Sequence, residues 1–398
     1  MSVIVEQMVE SLKINKSTWK LTKFGEVAIQ QKKNVNRDDT HLTKYVKGEH
    51  MYSQDLHLRE WGELTDEYLG PAFIRYFDAG DILYGSRRTY LRKVVIAPFE
   101  GITSNTTFVI KANEEKIDKR LLAFVMMTDE FSEHSVRNSK GSVNPYINWK
   151  DIANYEFLLP PKEEQKKLAE LLWAMDDVIE KEKRLLNNIN LTYVSTIEKE
   201  LLDKKFSKVF LSEMGSVIRG VSYNPEDLVS EYTDDDCIIL RSNNISNGMV
   251  NYNDIKILPI CKVKKEQILV NNDFAICMSN GSKELVGKSS RYYYNDKNVA
   301  TGSFCAGFRP QNEEFSDLLN HLFFSETYRQ AIKRTLSGSA INNLKPSDIE
   351  ELSFRIKPKN DRTVIIEKLN RIVSSKNITE ETINSSKSLQ KSLINQIF

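Results

Sequence analysis

A short loop rich in arginine and lysine follows the apolar run Asp81-Ile-Leu-Tyr84 in the first half of the chain. Its candidate ligand-binding residues are Arg87, Arg88, Tyr90, Arg92 and Lys93. Arginine can hold a phosphate or take a guanine through two parallel hydrogen bonds, which suits a loop that enters a DNA groove. Charged loop residues are more often merely solvated when each is taken alone. The loop taken as a whole predicts contact with DNA.

Further polar turns follow apolar runs elsewhere in the chain. In the second half, Asp273-Phe-Ala-Ile-Cys277 leads into a loop whose candidate residues are Asn280, Ser282, Lys283 and Lys288. Another turn contributes Arg241, Asn243 and Asn244, and its rough counterpart in the first half contributes Lys47 and His50. Asparagine in such turns is usually a turn-forming residue. We therefore expect DNA contacts from these turns, with a purely turn-forming or solvated role as the alternative.

The usual motifs for catalysis are absent from the sequence. The stretch from Gly281 to Ser289 has five residues between its glycines, whereas a phosphate-binding loop needs four. The only Pro-Pro pair lacks the neighbours of the amino-methyltransferase motif, and no proline precedes an aspartate as in the usual nuclease pattern. The five histidines lack metal-ligand spacing, and no Gly-x-Ser-x-Gly elbow occurs. We therefore expect no catalytic residue, metal or cofactor on this chain.

The bulk composition is that of an ordinary soluble protein. Of its 398 residues, 40% are hydrophobic and 28% are charged, and no apolar run approaches the length of a membrane span. Cys237, Cys261, Cys277 and Cys305 form no close pairs, so reduced cysteines in a cytoplasmic protein are expected. Because the net charge is only +1, any nucleic-acid surface must be a local patch.

The second half of the chain repeats the first. Residues 121–201 recur at 318–398 with a constant offset of 197 positions, as from Arg137 to Arg334. The repeat also pairs Leu121-Leu122 with Leu318-Leu319, Gly141-Ser142 with Gly338-Ser339, Asp151-Ile152 with Asp348-Ile349 and Pro161-Lys162 with Pro358-Lys359. Such a repeat indicates one structural unit used twice. A protein with two similar halves is expected to bind a ligand that has two parts.

A long amphipathic helix is predicted at the end of each half. Apolar residues recur at steps of three, four and seven, which is typical of a helix–helix seam. The predicted seam residues are Leu168, Leu172, Met175, Ile179, Leu186 and Ile189 in the first helix and Ile365, Leu369 and Ile372 in the second. We expect the two helices to pack against each other, and the alternative is that each lies on its own domain. Because Glu10-Ser-Leu12 aligns with Glu200-Leu-Leu202, the chain is also predicted to close into a circular arrangement.

These features resemble the specificity subunit of type I restriction–modification enzymes. The run Leu159-Pro-Pro-Lys-Glu-Glu-Gln-Lys-Lys-Leu-Ala-Glu-Leu-Leu172 is similar to that family's central conserved region. Asp81-Ile-Leu with its basic loop, and Leu240-Arg-Ser-Asn-Asn-Ile245, resemble recurring segments of its target-recognition domains. The second helix departs from the pattern, with Asn360-Asp-Arg362 where the first copy has Glu163-Glu-Gln165.

The resemblance implies an α+β fold with two similar mixed α/β target-recognition domains. Two long helices would separate them as an antiparallel coiled coil, in a pseudo-twofold circular arrangement. The implied segments are a first recognition domain at 1–158, a central conserved helix at 159–205, a second recognition domain at 206–356 and a distal conserved helix at 357–398.

The resemblance also implies a function. Each domain would read one half of an asymmetric, bipartite target in double-stranded DNA, and the helices would dock two methyltransferase subunits. Restriction and translocase subunits would complete the complex, and S-adenosylmethionine, ATP and magnesium would bind only to the partners. The alternative is a bivalent scaffold whose two domains bind proteins or peptides. Titration with DNA at two salt concentrations would distinguish them.

Overall fold

The computed structural model describes residues 14–36, 39–65, 68–246, 248–294, 296–337 and 342–398. The chain forms two compact units, of which unit 1 comprises Met1–Arg184 with Thr379–Phe398 and unit 2 comprises Leu185–Ile378. This division differs from the predicted segments, because each long helix contributes residues to both units. The predicted pairing of Gly338-Ser339 and the predicted circular closure through Glu10-Ser-Leu12 lie outside the described residues.

Unit 1 is built from two four-stranded sheets and short helices. Its strands are β1 (Lys20–Lys23), β2 (Ala28–Gln31), β3 (Lys44–Val46), β4 (Gly62–Glu63), β5 (Phe73–Phe77), β6 (Ile82–Gly85), β7 (Val94–Ile96), β8 (Gly101–Ser104), β9 (Thr107–Ala112) and β10 (Glu156–Leu159). Its helices are α1 (Phe24–Val27), α2 (Lys119–Val125), α3 (Asp129–Arg137) and α4 (Trp149–Ala153), followed by the central helix, α5 (Lys162–Thr196). The sheets have the orders β2-β9-β6-β7 and β4-β3-β8-β5, and β1 pairs with β10.

Unit 2 has a six-stranded and a three-stranded sheet. Its strands are β11 (Lys208–Phe210), β12 (Gly215–Arg219), β13 (Asp236–Leu240), β14 (Ile245–Ser246), β15 (Gly248–Val250), β16 (Lys256–Pro259), β17 (Phe274–Cys277), β18 (Ser289–Arg291), β19 (Val299–Thr301), β20 (Cys305–Pro310) and β21 (Ser353–Arg355). Its helices are α6 (Glu313–Leu322), α7 (Glu326–Ser337), α8 (Pro346–Glu350) and the distal helix, α9 (Lys359–Ile397). The sheet orders are β12-β20-β17-β18-β15-β14 and β16-β13-β19, and β11 pairs with β21.

The strand topology confirms the predicted repeat. The order β2-β9-β6-β7 in unit 1 corresponds to β12-β20-β17-β18 in unit 2, with every pair antiparallel. In the other sheet, β3 pairs antiparallel with β4 and parallel with β8, just as β13 does with β16 and β19. One structural plan therefore serves both units.

Buried glutamine and arginine side chains fix the starts of the two long helices. Gln165 accepts from the Asp118 backbone N–H at 2.7 Å and donates to the Pro160 carbonyl oxygen at 2.8 Å. At the equivalent position of the distal helix, the buried Arg362 forms an ion pair with Glu314. The start of the central helix is therefore held by hydrogen bonds of a neutral glutamine, and the equivalent position of the distal helix is held by an ion pair.

The two helix halves within each unit run antiparallel and also pack on that unit's sheets. In unit 1, Glu182 and Ser386 approach to 3.4 Å, and in unit 2, Glu200 and Lys368 approach to 2.6 Å. The seam residues Leu168, Leu172, Met175, Ile179, Ile365 and Leu369 are buried, whereas Leu186, Ile189 and Ile372 are half-buried. The antiparallel coiled coil is thus confirmed. Leu172 nevertheless shares one core with Phe124 of α2, so packing on the domain applies as well.

Candidate nucleic-acid interface

The basic loop of unit 1, residues 86–93, joins β6 to β7 through a strained turn. Arg88 and Arg92 flank a 3₁₀ turn at Thr89–Leu91, and both are in the left-handed region, with φ of 49° and 50°. A residue with a Cβ atom pays a steric cost in this region, and such residues cluster at functional sites. The backbone of this loop therefore holds two arginines in an arrangement that costs free energy.

Three of the predicted side chains in the basic loop face solvent. Arg87 and Arg88 are exposed, and 54% of Tyr90 is accessible. Within the part of the chain that the structure describes, neither guanidinium makes a hydrogen bond or ion pair. Both cations are therefore available to an external partner.

Arg92 is committed to the fold, which removes it from the set predicted to contact DNA. Its guanidinium forms an ion pair with Asp129 and donates to the Met127 carbonyl oxygen at 2.6 Å. Only 15% of the Arg92 side chain is exposed. Since Asp129 lies in the first turn of α3, this arginine ties the basic loop to a helix of its own unit.

The turn at residues 47–50 lies against the basic loop. Lys93 Nζ donates to the Gly48 carbonyl oxygen, and the Lys47 backbone N–H donates to His50 Nδ1 at 3.1 Å. Burial lowers the pKa of Lys93, and the charge of Arg88 lowers it further. Lys47 and His50 thus lie beside the basic loop, a neighbourhood that the sequence did not indicate, and one ring nitrogen of His50 is occupied by the turn.

A hairpin at residues 140–146, which the sequence did not single out, supports the basic loop from the other side. The backbones of Lys140 and Tyr146 exchange hydrogen bonds of 2.8 and 2.9 Å, and the Arg88 N–H donates into the hairpin at 2.6 Å. Gly141 takes a φ of 89°, and 94% of Val143 is exposed at the tip. The hairpin therefore fixes the backbone of Arg88.

In unit 2, the polar loop at 279–288 is joined to the turn at 241–244. Asn280 Nδ2 donates to Ser242 Oγ at 3.1 Å, and Asn280 Oδ1 accepts from the Ser282 backbone N–H at 2.9 Å. Ser282 and Lys283 are exposed, while Asn280 and Lys288 are half-buried. The structure therefore brings two of the predicted elements together.

The turn at 241–244 divides its predicted residues between two roles. Asn243 is exposed, and the Arg241 guanidinium donates to Asp254 Oδ2 at 2.6 Å. Asn244 is fully buried, accepts from the Arg241 backbone N–H at 2.9 Å and donates to the Asn253 carbonyl oxygen at 2.7 Å. Asn244 is therefore a turn-forming residue, and its predicted DNA contact does not fit the structure.

A pocket of about 780 Å³ opens between these two elements of unit 2. Arg241, Asn243 and Asn280 line it together with Tyr223 and Phe304. Phe304 is 69% exposed. Aromatic rings beside amide and guanidinium groups are the combination that contacts nucleic-acid bases, by stacking and by hydrogen bonding to base edges.

A charged network that the sequence did not indicate ties the 55–59 segment to the central helix. Arg59 donates to both carboxylate oxygens of Glu180, at 2.6 and 2.7 Å, and His57 Nε2 lies 2.7 Å from Asp176 Oδ2. The bond to Asp176 raises the pKa of His57. Burial would raise the pKa of Glu180, but hydrogen bonds from Arg59 and Lys183 hold it at about 2. These partners are about 120 positions apart, so no spacing rule reveals them.

In unit 2, a neutral hydrogen-bonded contact joins the central helix, α6 and the distal helix. Tyr193 Oη and His321 Nδ1 are 2.8 Å apart, and His321 Nε2 lies 3.0 Å from Asn370 Oδ1. Burial lowers the pKa of His321 to about 4, so the imidazole is neutral at physiological pH. Both units therefore hold their domains to the helices with charged and neutral side chains, since Gln165 in unit 1 and the Arg362–Glu314 pair in unit 2 also fix the helix starts.

Among the described ranges, no group of three or more histidine, cysteine, aspartate or glutamate side chains is arranged to hold a metal ion. None of the helices described combines the length and apolar character needed to cross a bilayer. All four cysteines are free thiols, and only Cys261 is exposed.

The chain is similar to known proteins along most of its length. A family model described as the type I restriction modification DNA specificity domain matches residues 16–191 and 203–386. The type I restriction enzyme EcoKI specificity subunit of Escherichia coli (strain K12) is 33% identical over 170 residues, covering 43% of this chain and 36% of that protein. The match thus spans about a third of that relative's length.

Two solved structures share the fold. The S subunit of a type I restriction–modification system from M. genitalium has a TM-score of 0.53 at 13% identity, over 97% of this chain and 98% of that chain. A chain from a structure on complex assembly and conformational transition of the type I R-M system has a TM-score of 0.56 at 16% identity, over 95% and 97%. With two copies of the matched domain along its sequence, the chain belongs to the type I restriction modification DNA specificity domain family.

Proposed function

We propose that this chain is the DNA-reading subunit of a type I restriction–modification complex. Each unit reads one half of an asymmetric, bipartite target in double-stranded DNA. The observation that carries this proposal is a duplicated arrangement, in which a polar loop after β6 or β17 is held against a second polar turn. Two linked sites of modest affinity gain strength because binding of the first raises the effective concentration of the second.

The proposed reading surface of unit 1 consists of Arg87, Arg88 and Tyr90. Its guanidinium groups are exposed and unpaired in the described residues, and the backbone of the loop is hydrogen-bonded to the 140–146 hairpin. Lys47 and Lys93 flank this surface and are suited to phosphate contacts, which position a protein on DNA without reading its sequence. The local positive charge compensates for the small net charge of the chain.

The proposed reading surface of unit 2 is amide-rich. Asn243 and Asn280 line the pocket beside Arg241, and Ser282 and Lys283 are exposed further along the same loop as Asn280. Asparagine offers a donor and an acceptor to base edges, so this surface can read sequence with less positive charge than unit 1.

We further propose that two methyltransferase subunits dock on the long helices and that restriction and translocase subunits join them. In unit 2 these helices expose Leu185, Leu191, Val194, Val364 and Ile378. A groove of about 470 Å³ lies beside Leu185. Large apolar side chains exposed on a helix beside a groove favour a protein partner. The chemistry, with S-adenosylmethionine, ATP and magnesium, belongs to those partners, and the complex acts in the cytoplasm.

Titration of the chain with mixed-sequence duplex DNA at two salt concentrations tests the DNA-binding role. For about three phosphate contacts, affinity should fall roughly 40-fold between about 50 and about 200 mM salt. A bivalent protein scaffold would show no such binding. A companion assay with labelled S-adenosylmethionine should detect no methyl transfer by the chain alone, and transfer by the chain alone would contradict the non-catalytic role.

A further inference from the structure

The loops after β6 and β17 carry different residues at a position that makes the same backbone hydrogen bond in both units. In unit 1, the Arg88 N–H donates to the Pro145 carbonyl oxygen at 2.6 Å. Two residues earlier, the Ser86 carbonyl oxygen accepts from the Ile147 N–H at 2.9 Å. This pair of bonds fixes the start of the basic loop against the 140–146 hairpin.

Unit 2 contains the same pair of bonds. The Asn280 N–H donates to the Asn342 carbonyl oxygen at 3.4 Å, and the Met278 carbonyl oxygen accepts from the Leu344 N–H at 2.8 Å. The bond spacing is two residues on both strands in each unit, and both loops follow equivalent strands of equivalent sheets. Arg88 and Asn280 therefore occupy equivalent positions in this hydrogen-bond register, although of the two only Arg88 has a positive φ.

We propose that this position selects the base class of each half-site, with Arg88 reading a guanine in the half-site of unit 1 and Asn280 reading an adenine in that of unit 2. The inference rests on the proposed DNA-reading function. It extends that function by assigning one specificity-determining residue to each unit and a chemical class of base to each residue.

The geometry of Arg88 favours a base contact over a phosphate contact. Its backbone lies in the left-handed region and is fixed by the hairpin, while its guanidinium is exposed. A phosphate can be reached from many backbone positions, whereas two parallel N–H groups must be registered against O6 and N7 of one guanine. The need to register two N–H groups against one guanine explains why Arg88 has a backbone conformation that costs free energy.

The carboxamide of Asn280 is oriented by the protein. Its Oδ1 accepts from the Ser282 backbone N–H and its Nδ2 donates to Ser242 Oγ. These two bonds fix the positions of the oxygen and the nitrogen of the carboxamide. A carboxamide has two donor hydrogens and two acceptor lone pairs, so one of each remains. Adenine needs that combination, because its N6 amino group donates and its N7 accepts. The adjacent exposed Phe304 can contact the paired thymine methyl or a neighbouring base.

Methylation mapping with the full chain and its methyltransferase partners tests the assignment. Arg88→Gln should change one guanine of one half-site to adenine or to an unspecified base, and it should leave the other half-site intact. Asn280→Arg should change one adenine of the other half-site to guanine. Arg184→Gln, which alters an exposed arginine of the central helix in unit 1, is the matched control and should change neither. An unchanged motif in both loop variants would overturn the inference.

Atom-specific analogues supply a second measurement that uses the wild-type complex. Replacing guanines of the target one at a time with 7-deazaguanine removes the N7 acceptor. One replacement should weaken wild-type binding about tenfold and leave Arg88→Gln binding unaffected. Equal losses in both proteins would overturn the assignment of Arg88. A complex that methylates no site would instead overturn the proposed function itself, and with it the inference.

Discussion

Replacing Leu172 with alanine should unfold unit 1 more readily, although the residue lies on the predicted helix–helix seam. Leu172 is fully buried and shares one core with Phe124 of α2 and with Leu393 and Ile394 of the distal helix. Loss of a buried leucine removes transfer free energy and leaves a cavity, and it typically costs about 2–5 kcal/mol. That is a large part of the roughly 5–15 kcal/mol that stabilises a native protein.

The corresponding shift in melting temperature is readily measured. At about 3 °C per kcal/mol for a domain of roughly 150–250 residues, Leu172→Ala should lower the melting temperature of unit 1 by about 6–15 °C. Leu369→Ala should do the same in unit 2, because Leu369 is the fully buried equivalent in the other repeat. Leu185→Ala is the matched control, since 52% of Leu185 is exposed and its loss should cost less than about 0.5 kcal/mol.

Thermal melting combined with amide hydrogen exchange locates the effect. In Leu172→Ala, exchange should accelerate in β6 and β9 of unit 1 as well as in the central helix. A seam that serves only helix pairing would open the helix alone and leave those strands protected. Protection of β6 and β9 at the wild-type level would therefore show that Leu172 does not stabilise the sheet of unit 1.

Three further predictions concern named side chains. Arg92→Ala should cost about 1–3 kcal/mol of unfolding free energy, measured in urea, because it leaves Asp129 without its partner in the basic loop; a stability equal to wild type would contradict its structural role. Asp176 raises the pKa of His57, so the stabilisation by this pair is complete below about pH 6.5 and is lost as pH rises through the raised pKa of His57. The melting temperature should fall over that pH range in wild type but not in His57→Gln. Burial lowers the pKa of His321 to about 4, so His321 changes stability with pH in the opposite direction. Its neutral form imposes no loss of stability above about pH 6.5, and stability is lost as pH falls towards 4. Melting curves at pH 7 and 5 should show this loss in wild type and not in His321→Phe.

The elements that follow from local pattern could be predicted from the sequence. The repeat offset, the helix starts after the prolines and the buried seam positions Leu168 and Leu369 all depend on periodicity, which the chain shows directly. The common strand order of the two units could not be predicted from the repeat, because the strands of the four larger sheets lie outside residues 121–201 and 318–398. The sequence could not distinguish helices that pack on the sheets from helices that pack on each other, because the same apolar stripe on a helix is expected in both cases.

The roles of individual polar side chains could not be predicted in the same way. Arg88 and Arg92 are the same residue type in the same loop. Their roles differ because Arg92 reaches Asp129, which lies 37 positions further along the chain. Asn244 is buried because Asn253 lies opposite its turn. The Arg59 network joins residues about 120 positions apart, so its existence depends on the three-dimensional path of the chain.

Methylation mapping of a genome that carries this chain with its methyltransferase partners shows whether the target is bipartite. We expect one asymmetric motif made of two specific half-sites with an unspecified spacer. Replacing Arg87 and Arg88 together with alanine should relax or abolish recognition of one half-site and leave the bases of the other unchanged. A continuous or palindromic motif, or an equal change in both half-sites on altering unit 1 alone, would contradict the claim that each unit reads its own part of the target.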